Sequence, residues 1–103
     1  MTDLVLLLQA DRDIQTAFER YENYQAGRGE VFMRPLDVAL TLLRYHPEIA
    51  PVYSGPYRRM LIRDFPYGIF TRCNQIIAAI MDLRQNPQTI RKKLSGPTTG
   101  QPE

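Results

Sequence analysis

Two stretches of helix-spaced apolar residues, separated only by Gly27-Arg28-Gly29, do most to limit what this chain can fold into. In the first, Ile14, Phe18, Tyr21 and Tyr24 or Gln25 fall on one stripe, while Arg12, Gln15, Glu19 and Glu22 face away. In the second, Phe32, Leu36, Ala39, Leu40 and Leu43 keep the same period until His46-Pro47 stops it. So short a glycine connection makes the chain double back, which predicts an antiparallel helical hairpin. Asp11 or Asp13 is placed to cap the first helix by accepting a bond from an unpaired amide. Pro35 lacks an amide hydrogen and crowds the preceding turn, at a cost of about 3 kcal/mol inside a helix. The second helix therefore starts near Arg34, with Pro35 at its first position, or is kinked there.

Strand patterns flank the hairpin. Leu4–Gln9 is an apolar run closed by Asp11, Arg12 and Asp13, and reads as a first strand. After Pro51 the period becomes two. From Tyr57 to Arg63, Met60 and Ile62 point one way and Arg59, Leu61 and Arg63 the other. Phe65-Pro66-Tyr67 opens the next strand, which runs to about Thr71 and a tight turn at Cys73-Asn74. Ile76 to Met81 is an unbroken apolar run, as in a central strand covered on both faces. Asn86-Pro87 opens a short helix to Leu94, and Ser95–Glu103, rich in Gly, Pro and Thr, reads as a disordered tail. The order β-α-α-β-β-β-α predicts an α+β fold: a small antiparallel sheet with an N-terminal helical hairpin on one face, forming one domain over residues 1–94.

Charge is unevenly divided. Residues 1–50 carry five arginines against eight acids, and residues 51–103 carry eight basic groups against three acids. A basic half on a chain of net charge +2 suggests an acidic partner, either nucleic acid or an acidic protein segment. The plainer reading is that the arginines solvate a sheet edge. Cys73 alone excludes an internal disulfide and fits a reducing compartment. With no run of about 20 apolar residues and no leader pattern at the start, the expectation is a cytoplasmic protein that does not enter a membrane. A lone Cys73 and a lone His46 leave no zinc site, and no glycine-rich phosphate loop is visible, so neither metal nor cofactor is expected.

Several strings, in this order and spacing over about residues 4–94, resemble the RelE/ParE toxin superfamily of type II toxin–antitoxin systems, the plasmid-stabilisation proteins. They are Ala17-Phe18-Glu19-Arg20-Tyr21-Glu22, Gly27-Arg28-Gly29-Glu30-Val31-Phe32 and His46-Pro47-Glu48. They continue with Tyr57-Arg58-Arg59-Met60-Leu61-Ile62-Arg63-Asp64-Phe65-Pro66-Tyr67-Gly68-Ile69-Phe70 and Asp82-Leu83-Arg84-Gln85-Asn86-Pro87. The hairpin between the Phe-Pro-Tyr strand and the isoleucine run is shorter than in the family, and Thr71 stands where an aromatic is usual. Losing an odd number of residues there would turn side chains to the wrong face, so the turn or the strand has to absorb the change.

The resemblance implies one of two activities. RelE-like members cut messenger RNA on the ribosome, whereas ParE-like members inhibit DNA gyrase. Cutting RNA by its own 2′-hydroxyl needs a base, an acid for the leaving oxygen and cations for the phosphorane. The resemblance places Arg59, Leu61 and Arg63 on the basic strand face, with Leu61 where a lysine is expected. Gly68 stands at a phosphate-binding arginine and Ile90 at the tyrosine of the last helix. Arg84 matches a catalytic arginine, but arginine stays protonated and is a poor base. These vacancies, the long hairpin and the Arg-Gln-Asn-Pro string look closer to ParE-like members. The expectation is a growth-inhibiting gyrase binder with Arg58, Arg59, Arg63, Arg72, Arg84, Arg91, Lys92 and Lys93 as target contacts. The alternatives are a ribosome-dependent endoribonuclease centred on Arg84 and a degenerate, non-toxic binding module. The five arginines on or beside the sheet would form one concave basic surface. Tyr53, Tyr57 and Tyr67 between them can stack on bases or serve as core packing. The resemblance also implies a hetero-oligomer with a cognate antitoxin, whose segment would wrap the sheet and hairpin.

Overall fold

The computed structural model describes residues 3–95. Of the expected tail only Ser95 lies among them, closing the last helix; the remainder falls outside the described residues. The elements are β1 (Val5–Leu6), α1 (Leu8–Tyr24), α2 (Arg28–Tyr45), β2 (Val52–Ser54), β3 (Tyr57–Leu61), β4 (Tyr67–Arg72), β5 (Ile76–Asp82) and α3 (Pro87–Ser95). They make an α+β fold around one five-stranded sheet of order β1-β5-β4-β3-β2.

The hairpin forms as its spacing predicts, for local reasons. Gly27 takes φ 88°, a left-handed value that costs glycine little. The Glu22 carboxylate at the end of α1 accepts the amides of Gly27 (3.0 Å) and Gly29 (3.1 Å), two donors that the start of α2 would otherwise leave unpaired. Gly29 is also where the helices come closest. A Cβ there would stand 2.7 Å from the Phe18 ring, so only glycine lets the two backbones approach this way. The alternative start of α2 near Arg34 is overturned: the helix begins at Arg28 and runs through Pro35. His46 is its C-cap, donating its amide to the Leu42 carbonyl at 2.8 Å.

The sheet departs from expectation at both edges. β1 is two residues long rather than spanning Leu4–Gln9, and it pairs parallel with β5, through Val5 and Ile76 and through Leu6 and Ile77. The other pairings are antiparallel, so the sheet is mixed. The leucines after β1 go into α1, whose N-cap is Leu7 with no side-chain cap, so neither Asp11 nor Asp13 fills that role. Asp13 instead accepts the amide of Ile80 on β5 at 3.0 Å, serving the strand where β1 no longer can. At the far edge the sequence reading missed β2. It reaches β3 through a turn in which Gly55 has φ 54°. β3 is also shorter than expected: Ile62 leaves it to enter the core, and Arg63 lies exposed in the turn beyond.

The short β4–β5 hairpin is accommodated in two ways. Cys73 (φ 55°) and Asn74 (φ 59°) form a two-residue turn with both residues left-handed, whose twist suits a hairpin. Between the pairs Phe70–Ala79 and Thr71–Ile77 the register shifts, leaving Ala78 as an extra residue in β5. That bulge keeps Ile77 and Ile80 on the same face.

Both faces are covered. Towards the hairpin, Tyr67, Ile69, Ile77 and Ile80 pack with Ala17, Phe32, Leu36 and Leu43. Tyr21, Phe32, Phe65 and Tyr67 meet there with ring centroids 5.0–6.1 Å apart. On the other face Phe70, Ala79 and Met81 pack against Ile90 of α3, flanked by Tyr53, Leu83 and Leu94.

Candidate functional site

At the end of β5 the chain turns through Leu83–Asn86 into α3, and α1 passes alongside. The three elements enclose a polar cleft of about 420 Å³ lined by Thr16, Arg20, Tyr67, Asp82, Arg84 and Lys93, among others. Asp82 organises it. Its Oδ2 accepts from Arg84 Nη2 at 2.7 Å and its Oδ1 from Arg84 Nε at 3.1 Å, a two-bond fork, and Oδ1 also takes the Arg84 amide at 2.8 Å. Arg20 Nη1 lies 3.5 Å from the same Oδ2 and donates to the Tyr67 hydroxyl at 3.1 Å. Gln85 donates to the Asp82 carbonyl (2.9 Å) and accepts from Lys93 Nζ (3.1 Å), tying α3 to the turn.

The perturbed ionisations gather in and beside this cleft. The hydrogen bonds from Arg84 hold the Asp82 carboxyl below the usual range, and the same pair raises Arg84. Burial pushes Tyr67 and the neighbouring Tyr21 up, so both hydroxyls stay protonated. Burial also raises Asp13, partly offset by its bond from Ile80. The cleft carries a net positive charge that would suit an anion. Arg20, Arg84 and Lys93 outnumber Asp82 and Asp13, and the Arg20 and Arg84 side chains are 56% and 65% exposed. The arginines stay charged and Asp82 is engaged by Arg84, so none of these is a ready proton-abstracting base; Asp13, the other carboxylate lining the cleft, accepts the Ile80 amide.

Of the expected contact residues, the fold brings Arg84 and Lys93 together, joined by Arg20, which the sequence reading did not single out. Arg20 lies one and two turns beyond Thr16 and Asp13 on α1, and that polar i, i+3, i+7 line is the available signal. The single concave basic surface is not formed. Arg58 turns to the hairpin face and donates to the carbonyls of Ala50 (2.8 Å) and Glu48 (3.3 Å). Arg59 takes the opposite face, 4.9 Å above the Tyr53 ring. Arg72 lines an adjoining groove beside Tyr57, which shares Asp13, Met81 and Lys93 with the cleft. Arg63 is in its turn rather than beside Arg59, and Arg91 and Lys92 are exposed on α3. The three tyrosines pack: Tyr53 against Phe70, Tyr57 by donating to the Leu94 carbonyl at 2.9 Å, and Tyr67 in the core.

Two of the three positions that a ribonuclease would fill have structural uses here. Ile90 is 3% exposed, in the core beneath α3. Gly68 is buried under Arg59 and Leu83, where a Cβ would stand 3.1 and 3.2 Å from their side chains. Leu61 ends β3, exposed. Among the described residues no cluster of three His, Cys, Asp or Glu side chains could hold a metal ion. Nor is any helix long and apolar enough to cross a membrane. Compared with protein-family models and with curated proteins, the chain matches none.

Proposed function

We propose that this chain is the toxin of a type II toxin–antitoxin pair of the RelE/ParE type. On this reading it acts in the cytoplasm by binding a target such as DNA gyrase rather than by catalysis, and a cognate antitoxin neutralises it. The observation that carries the binding part is the cleft: three cations converge on it, while Gly68 and Ile90 serve packing. The toxin part rests on the strings quoted above. A ribonuclease variant centred on Arg84 is the second reading. It is favoured by one feature, a protonated Tyr67 hydroxyl in the same cleft as an arginine fixed by Asp82. Inducing the chain in bacteria without an antitoxin separates the readings. Growth arrest with filamentation and uncut messages supports the binder; ribosome-dependent cuts mapped by primer extension support the nuclease. Normal growth with folded protein present leaves only the non-toxic binding module.

A further inference from the structure

α2 carries a second apolar stripe that the fold does not use. Val31, Pro35, Val38, Leu42 and Tyr45 recur in alternating steps of four and three, the spacing of a helix–helix seam, and the next step reaches Ile49 beyond the helix end. The inward stripe of Phe32, Leu36, Ala39 and Leu43 is already buried in the core. Of eleven large apolar side chains exposed among the described residues, six belong to this region: Val31, Val38, Leu42, Tyr45, Ile49 and Val52. Ile49 and Val52 help line a pocket of about 250 Å³ at the β2–β3 end, which extends the patch past the helix. A patch this continuous marks an interface.

We propose that the patch is the interface of a two-fold homodimer in which α2 packs antiparallel on α2 of a second copy. The pattern is complementary to itself. With the axis passing beside Leu40 and Thr41, Val38 meets Leu42 of the other copy, Pro35 meets Tyr45 and Val31 meets Ile49. The same register aligns the flanking charges. Asp37 falls opposite Arg44 of the second copy, and Arg34 falls opposite the turn that carries Glu48. Asp37 and Arg44 are exposed and in no ion pair among the described residues. In a two-fold antiparallel pair the same flank meets itself, so this opposite-sign match at one register specifies a second copy rather than an arbitrary apolar partner. The helical seam is ~21 Å long, and the β2–β3 pocket adds to it, which places the dimer at the small end of stable interfaces.

Sedimentation velocity of the full chain over a concentration series tests this. The wild type sediments as a monomer–dimer equilibrium. Leu42→Glu sets two carboxylates in the seam and weakens dimerisation ~100-fold or more, as loss of a central anchor does. Its thermal unfolding at low concentration stays unchanged, because Leu42 is not in the core. Asp37→Arg or Arg44→Asp alone weakens the dimer, and the double swap restores it. In a Cys73→Ser background, Thr41→Cys beside the axis oxidises to a covalent dimer. A wild type that remains monomeric at every concentration overturns the proposal, as does a dimer indifferent to Leu42→Glu or a double swap that fails to recover association. If the chain is monomeric and a co-purified protein shields these residues, the face belongs to that protein and the homodimer is wrong.

Discussion

At residue 13 a carboxylate stands where the sheet has run out of strand. β1 ends at Leu6, and Asp13 Oδ2 takes the Ile80 amide that a longer β1 would otherwise serve. Burial raises the Asp13 pKa above its unfolded value, so its ionisation opposes folding, and stability declines as pH rises through that raised value. Asp82 has the opposite sign. Its folded pKa lies below the unfolded one, so its contribution is complete above the ordinary carboxylate range and is lost as pH falls through its folded value. Asp13→Asn keeps an acceptor for Ile80 and removes the charge. It is therefore as stable as wild type or more so at neutral pH, with the difference vanishing in acid. Asp82→Asn is less stable at neutral pH and also converges on wild type in acid. Asp13→Ala leaves the Ile80 amide unpaired and costs about 1–3 kcal/mol. Urea unfolding at neutral and acid pH measures all three, and an Asp13→Asn as damaging as Asp13→Ala would contradict this account. None of it was legible in the sequence. Asp13 looks like a helix cap because caps are local, whereas its partner is 67 residues away.

The elements that local spacing controls came out of the sequence directly. The hairpin, the antiparallel strands β3 to β5, the turn at Cys73-Asn74 and the last helix all stand where periodicity and turn residues put them. What failed was whatever depended on a neighbour. β1 stops at two residues because α1 takes over its leucines, β2 is visible only as Val52-Tyr53-Ser54 before a Gly-Pro turn, and the Ala78 bulge depends on pairing with β4. Strict alternation puts Arg63 on Arg59's face, but the strand ends before it. Gly29 shows how strongly one contact governs an element. In an isolated helix Gly→Ala is favourable by about 1 kcal/mol. Here the methyl meets the Phe18 ring, so Gly29→Ala destabilises by about 1–3 kcal/mol, and adding Phe18→Leu recovers part of the loss. Thermal unfolding of the three variants checks this, and a stabilised single variant would mean that α1 and α2 are not held this close.

Across the whole molecule, the basic excess of residues 51–103 is divided among both sheet faces, two turns and α3, and its one convergent part draws Arg20 from the acidic half. Net charge by halves thus suggests an acidic partner but singles out no surface for one. A binding surface and a catalytic centre differ in how loss is distributed. If Arg20, Arg84 and Lys93 are contacts, each alanine costs about 1–2 kcal/mol of target affinity, and the losses are comparable. If Arg84 stabilises a transition state, its removal alone costs about 3–4 kcal/mol in rate while the other two matter less. The most direct measurement is a DNA gyrase supercoiling assay with the purified chain and these three variants, each first shown to be folded. The account predicts that the wild-type chain inhibits supercoiling, that each single variant needs a several-fold higher concentration, and that the triple variant is inactive. A wild-type chain that leaves supercoiling untouched while cutting messages on the ribosome, with only Arg84→Ala abolishing the cuts, would contradict it.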